Sequence, residues 1–133
     1  TVRQVGLGRL DMSWHNLTSI PTNSVYEFEE NAIKGTELFP PSKETTTSCA
    51  FSHIFQGGYS AGYYSYKWAE VLEADTFELF KETGIYNKET ATNFLENILS
   101  RGGSEHPMEL YKKFRGKEPS TKALLVKTGL IEV

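Results

Sequence analysis

Apolar residues in this chain recur every three or four positions, and this helical spacing limits the fold more than any other feature. In the first 18 residues, Leu7, Leu10, Trp14 and Leu17 are three, four and three positions apart and share one helical face. No segment shows sustained period-two alternation with β-branched residues, which a half-buried strand would show. The spacing predicts an all-α protein, an irregular bundle of about six or seven helices.

Proline, glycine and capping residues predict where the helices begin and end. Pro21 ends the first helix, and Asn23 or Ser24 caps the second. A further helix is predicted over about 60–74, and Asp75 is expected to cap a continuing or restarted helix after it. The remaining boundaries are marked by Gly35, Gly84, Asn87, Pro107, Ser120 and Gly129.

The length predicts a single helical domain over residues 1–133, interrupted by one irregular loop over residues 36–48. Pro40 and Pro41 exclude helix within that loop. The chain does not begin with methionine, and its first residues already have helical spacing. We therefore expect a fragment of a larger domain, with an apolar face through which a homodimer could form.

Composition argues against several function classes. A net charge of −3 without a Lys/Arg cluster argues against a nucleic-acid partner. No apolar run is long enough to predict a membrane span. Cys49 is the single cysteine, so it forms no intrachain disulfide, and we expect it to be a small buried residue. We expect a cytoplasmic location, with the periplasm left open.

The histidines predict no metal site within the chain. His15, His53 and His106 are far apart in sequence, and no His-x-x-x-His pair or Cys/His cluster exists. We expect His15 to be hydrogen-bonded at a helix contact and His106 to be solvated in a polar turn.

The segment 51–70 concentrates groups that could carry chemistry: His53, the pair Gly57 and Gly58, four tyrosines and one tryptophan. If Tyr59 begins a helix, Tyr59, Tyr63 and Tyr66 form one stripe of phenols. A neutral tyrosine hydroxyl can stabilise an oxyanion that develops only in a transition state, and a glycine pair allows a ligand to approach closely. Spacing alone leans towards the alternative, in which the aromatic residues pack in a core and the glycines form an ordinary turn.

The same segment, FSHIFQGGYSAGYYSYKWAE, resembles the C-terminal signature of the thimet-oligopeptidase family of zinc peptidases. It is most similar to the bacterial peptidyl-dipeptidase (dipeptidyl carboxypeptidase) branch. The resemblance continues through LSRGGSEHPMEL, which begins at Leu99, and FRGKEPS, which begins at Phe114. Near the start of the chain, LDMSWH from Leu10 to His15 also fits.

The resemblance implies part of a zincin-like oligopeptidase catalytic domain, largely helical, with a deep channel that admits short peptides. By matching positions, Tyr66 would donate to the oxyanion and Tyr59 would clamp substrate from the loop of Gly57 and Gly58. His53 would bind the substrate main chain near the cleavage point. The resemblance assigns no such role to Tyr63, Tyr64 and Trp68, and we expect these three to be packing residues.

The resemblance also implies a Zn²⁺ ion held by a His-Glu-x-x-His helix and a downstream glutamate. This chain contains no His-Glu-x-x-His sequence. We therefore expect the complete protein to be a zinc metallopeptidase, and this chain alone to bind no catalytic zinc and to be inactive without the preceding part of the polypeptide. The alternative is a non-enzymatic helical module that uses the aromatic residues to bind a peptide or protein.

Overall fold

A computed structural model describes residues 1–40 and 42–132 of the chain. Within these residues there are seven α-helices, one 3₁₀ turn (Ser52–Ile54) and one π-helical turn (Leu95–Leu99), with no strand. The prediction of an all-α protein is therefore confirmed. The helices are α1 (Val2–His15), α2 (Val25–Ile33), α3 (Thr47–Ala50), α4 (Ser65–Thr83), α5 (Lys88–Phe94), α6 (Pro107–Arg115) and α7 (Lys122–Lys127).

The chain divides into two compact units, Thr1–Trp68 and Ala69–Val133. A single domain over residues 1–133 stays a prediction. In the described residues no helix is both long enough and apolar enough to cross a membrane.

The first unit is built around a small core that α1, α2 and the 3₁₀ turn share. Leu10 and Ile54 are fully buried, and Ile33 and Tyr63 pack with them. Leu7 and Trp14 lie against this core, so three of the four residues of the predicted α1 face are confirmed. Leu17 follows the end of α1 and is exposed.

Local capping explains the start of α2. The Ser24 hydroxyl accepts the backbone N–H of Glu27, and the Glu27 carboxylate accepts the backbone N–H of Ser24, which forms a capping box. Of the two residues predicted as the cap, Asn23 and Ser24, it is Ser24 that caps α2. The irregular segment after α2 ends at Thr46 rather than Ser48, because α3 begins at Thr47. Pro41, part of the predicted Pro-Pro break, lies outside the described residues.

The second unit contains two apolar groups. Val71 and Ala74 of α4 pack with Ala123 and Leu124 of α7. The rings of Phe80, Phe94 and Phe114 form a separate aromatic group, with centroids between 5.2 and 6.4 Å apart. These contacts join α4, α5 and α6.

Several predicted boundaries in the second unit are confirmed, and two are wrong. The Asn87 side chain caps α5 by accepting the backbone N–H of Thr90, and Pro107 opens α6. The N-cap of α7 is Thr121 and not the predicted Ser120, although the Ser120 hydroxyl accepts the backbone N–H of Lys122. Asp75, however, lies buried inside the uninterrupted helix α4 and accepts a hydrogen bond from the Tyr111 hydroxyl at 2.6 Å. Its carboxylate therefore serves a tertiary contact and no cap.

Candidate active-site segment

The segment that leads into α4 is irregular, contrary to the prediction of a helix from about residue 60. Gly57 and Gly58 have φ angles of 76° and 81°, in the left-handed region that favours glycine. Residues 60–64 form turns, and α4 begins only at Ser65. Tyr59 therefore does not begin a helix, and the predicted helical stripe of phenols is wrong.

The predicted side chains nevertheless come together through the turn. The ring centroids of Tyr59 and Tyr66 are 5.3 Å apart, and those of His53 and Tyr59 are 5.6 Å apart. Tyr63 lies beside Tyr66 at 5.0 Å, and Phe51 stacks on His53 at 5.1 Å. We call Phe51, His53, Tyr59, Tyr63 and Tyr66 the aromatic cluster.

Exposure separates the members of the cluster into a packing part and an accessible part. Tyr63 is only 8% exposed and belongs to the core, so its predicted packing role is confirmed. Tyr59 and Tyr66 are 37% and 40% exposed, and His53 is also exposed. The packing prediction is wrong for Tyr64 and Trp68, which are both exposed.

The two accessible phenols interact directly. A hydrogen bond with the Tyr59 hydroxyl is the main reason why the pKa of Tyr66 lies above its ordinary value. Partial desolvation and the neighbouring phenols of Tyr59 and Tyr63 raise the pKa further. The Tyr66 hydroxyl is thus a neutral hydrogen-bond donor at pH 7.

A fully buried carboxylate on α1 holds the turn that carries these tyrosines. Asp11 Oδ1 accepts the backbone N–H of Ala61 and Oδ2 accepts that of Tyr63, both at 2.9 Å. The Nδ1 atom of His15 lies 2.9 Å from Asp11 Oδ1, so His15 bonds within its own helix and not at a contact between helices. Sequence reasoning gave Asp11 no role. The sequence signal available for Asp11 was its place in LDMSWH, one of the segments that resemble the peptidase family.

A second buried carboxylate holds the chain ahead of His53. Glu29 accepts the backbone N–H groups of Thr47 and Ser48, both at 2.7 Å, and the Ser48 hydroxyl at 2.8 Å. The indole N–H of Trp14 donates to the Ser48 hydroxyl oxygen at 2.9 Å. Glu29 therefore fixes the start of α3. No sequence pattern indicated this contact, which spans 18 and 19 positions.

The described residues do not fit a zinc site. Among residues 1–40 and 42–132, no group of three or more His, Cys, Asp or Glu side chains is placed to hold a metal ion. His106 is exposed, as predicted, and its Nδ1 accepts the backbone N–H of Met108 at the start of α6. Cys49 is exposed, so the expectation that it is buried is wrong.

The resemblance to a peptidase family implies a helical chain that places a histidine and two accessible tyrosines beside a glycine pair. The described residues have this arrangement. A sequence profile of peptidase family M3 matches residues 1–130, and the chain belongs to this family.

Named relatives agree with this assignment. Oligopeptidase A of Escherichia coli (strain K12) is 64% identical over 81 residues, which cover 61% of this chain and 12% of that protein. The probable cytosolic oligopeptidase A of Arabidopsis thaliana is 41% identical over 137 residues, covering 98% of this chain and 19% of the relative. Dipeptidyl carboxypeptidase of Salmonella typhimurium is 40% identical over 128 residues, which cover 95% of this chain and 19% of that protein. The chain therefore spans less than a fifth of the length of these relatives.

Proposed function

We propose that this chain is part of a zinc-dependent oligopeptidase or peptidyl-dipeptidase that hydrolyses short peptides, and that it supplies groups that bind the substrate and the tetrahedral intermediate. The observation that carries the proposal is the convergence of His53, Tyr59 and Tyr66 on one accessible part of the first unit. Membership of peptidase family M3 supports the reaction class.

Tyr66 has the chemistry of an oxyanion donor in this proposal. Its hydroxyl is protonated at neutral pH, because its pKa lies above its ordinary value, and its ring packs 5.3 Å from the ring of Tyr59. A donor that is fixed before the reaction stabilises the negative charge that develops on the carbonyl oxygen of the scissile bond. Tyr66 therefore acts mainly in the transition state and contributes little to ground-state binding.

Tyr59 and His53 act on the substrate itself. Tyr59 follows Gly57 and Gly58, whose backbone freedom allows the loop to approach a bound peptide closely and Tyr59 to clamp it. His53 lies on the 3₁₀ turn beside Tyr59 and offers ring nitrogens for hydrogen bonds to the peptide main chain.

The metal would be held by residues outside this chain. A bound zinc ion would polarise the scissile carbonyl and activate water, and this chain contains no His-Glu-x-x-His sequence to hold it. We therefore expect the 133-residue chain alone to bind no catalytic zinc and to release no product from short peptides. Zinc analysis and a peptide-cleavage assay on the chain alone check this, and metal-dependent turnover would contradict it.

The substitution Tyr66→Phe in the complete protein that carries this sequence tests the role of the hydroxyl. We expect kcat to fall about 10²–10³-fold, the loss typical of one oxyanion donor, with KM little changed. Tyr64→Phe is the matched control, because Tyr64 is an exposed phenol that stands outside the aromatic cluster. An unchanged kcat in Tyr66→Phe would leave Tyr66 as a packing residue and refute the proposal.

We further propose a cytoplasmic location, short peptides as the partners, and association with the rest of the same polypeptide. The name of the Arabidopsis relative, a probable cytosolic oligopeptidase, supports the location. Fusing a fluorescent protein to the complete protein and imaging the cells tests it, and a periplasmic or membrane signal would contradict it.

A further inference from the structure

We propose that Asp11 is a positioning residue of the peptidase, which sets the geometry of Tyr59 and Tyr66 by binding the turn between them. The inference rests on the proposed function of these tyrosines and adds a residue that does not touch the substrate. Its basis is the pair of hydrogen bonds from Ala61 and Tyr63 to the two oxygens of one buried carboxylate.

These two bonds fix the part of the chain that lies between the phenols. Gly62 stands between the two bonded residues, and its own N–H donates to the carbonyl oxygen of Tyr59 at 2.9 Å. On the other side, the N–H of Tyr66 donates to the carbonyl oxygen of Tyr63 at 3.3 Å. The backbone of both tyrosines is thus tied to the segment that Asp11 holds.

The conformation of Ala61 is evidence that the carboxylate imposes the turn. Ala61 has a φ of 57°, and it is the only residue other than glycine with a positive φ among residues 1–40 and 42–132. The left-handed region is unfavourable for an L-residue with a Cβ atom, so the surrounding contacts must hold it there. Asp11 accepts the N–H of this residue.

Asp11 is itself rigidly held. It lies within α1, none of its surface is exposed, and His15 contacts the same carboxylate oxygen that Ala61 does. Three residues before Asp11, a Cβ atom added to Gly8 would lie 3.7 Å from the Cα of Tyr64, so α1 runs directly along the turn. The turn is therefore fastened to a helix and cannot shift independently of it.

The glycine pair lies between two such fastened points. Glu29 holds the chain at Thr47 and Ser48, before His53, and Asp11 holds it at Ala61 and Tyr63. Gly57 and Gly58, both with positive φ, lie between these points. The glycines are therefore the positions at which the chain between these points can change conformation, while the backbone next to Tyr66 stays fixed.

The substitution Asp11→Asn removes one of the two acceptors and turns an amide N–H₂ towards a backbone N–H. The turn then loses one bond, and the phenols shift relative to the reacting carbonyl. A displacement of about 1 Å can cost on the order of a hundredfold in rate, so we expect kcat to fall about ten- to a hundredfold in the complete protein.

A double-mutant cycle with Tyr66→Phe distinguishes positioning from a general loss of stability. If Asp11 affects kcat through Tyr66, the double variant loses little more kcat than Tyr66→Phe alone, because the hydroxyl that Asp11 positions is already absent. Asp75→Asn is the matched control, since it makes the same change at a buried carboxylate whose partners are Tyr111 and Arg115. We expect this control to lower stability, to leave kcat close to wild type, and to add nothing to the loss in Tyr66→Phe.

The outcomes separate the two proposals. If Tyr66→Phe slows turnover but Asp11→Asn leaves kcat unchanged, the positioning role is wrong and the proposed function stands. The same conclusion follows if the fold-loss of kcat in the double variant equals the product of the fold-losses in the two single variants. If Tyr66→Phe has no effect on kcat, the proposed function itself fails. If Asp11→Asn does not fold, hydrogen exchange on the wild-type protein decides, because the amides of Ala61 and Tyr63 must be strongly protected. Rapid exchange at both amides would overturn the inference.

Discussion

Replacing Glu29 with glutamine should loosen the start of α3 and free the chain that leads to His53. Only 7% of the surface of Glu29 is exposed, and its two carboxylate oxygens accept separate backbone N–H groups, from Thr47 and Ser48, with a third bond from the Ser48 hydroxyl. Glutamine offers one acceptor oxygen and one N–H₂ group. One of the two backbone donors must therefore lose its partner.

The size of the effect follows from these contacts. A hydrogen bond to a charged group contributes about 1.5–3 kcal/mol, and a buried donor without a partner costs about 1–3 kcal/mol. Glu29→Gln removes one hydrogen bond and replaces the charged acceptor of the other with a neutral one. The free energy of local unfolding at the start of α3 should therefore fall by about 2–4 kcal/mol. The corresponding change in the opening equilibrium is roughly thirtyfold to a thousandfold, since about 1.4 kcal/mol corresponds to a factor of ten.

Hydrogen exchange read by mass spectrometry in the complete protein measures this change at the amides of Thr47 and Ser48. We expect exchange there to accelerate by that factor in Glu29→Gln. Glu27→Gln is the matched control, because Glu27 lies on the same helix but bonds only at the exposed N-terminus of α2. Unchanged exchange at both amides in Glu29→Gln would refute the conclusion that the Glu29 carboxylate holds the start of α3.

The same carboxylate predicts a dependence on pH. Burial raises the pKa of Glu29, but the hydrogen bonds from Ser48 and Thr47 outweigh it, and the pKa lies below its ordinary value. The folded state therefore binds the proton less readily than the unfolded chain. The stabilisation by Glu29 is complete above about pH 5 and is lost as the pH falls below about 4. Protection of the two amides should fall over that range, and Glu29→Gln should abolish this change.

Two further predictions concern other parts of the chain. Burial, and then the hydrogen bond to Asp75, raise the pKa of Tyr111 to about 12, so stability should fall as the pH rises from about 10 to 12. Tyr111→Phe should flatten this alkaline loss in a denaturation series, and an equally steep loss would contradict the assignment. Exposed apolar side chains at Ile20, Leu38 and Phe39 are consistent with the proposal that the isolated chain dimerises. Light scattering should then give twice the mass of one chain, whereas a monomer at high concentration would contradict it.

Helix positions were predictable from the sequence where the signals act over three or four residues. The caps at Ser24 and Asn87 and Pro107 at the start of α6 are all local features. Each is complete within one helical turn, so the sequence alone predicts it. The α1 face formed by Leu7, Leu10 and Trp14 was predictable for the same reason.

The site was only partly predictable, because long-range contacts override the local spacing there. The helix expected from about residue 60 begins at Ser65, since Asp11, 50 positions before Ala61, holds a turn in its place. Asp75 resembled a cap locally, yet its partner Tyr111 is 36 positions away. The tyrosines still converge, so the predicted grouping holds although the predicted geometry does not.

The most direct test asks whether the Tyr66 hydroxyl stabilises the transition state. A phosphinic peptide, whose tetrahedral phosphorus imitates the intermediate, should be titrated as an inhibitor of the complete protein and of its Tyr66→Phe variant. If Tyr66 donates to the oxyanion, the inhibition constant should rise by the factor by which kcat/KM falls, while the KM of the peptide substrate stays nearly constant. An inhibition constant that is the same in both proteins would contradict an active-site role for Tyr66.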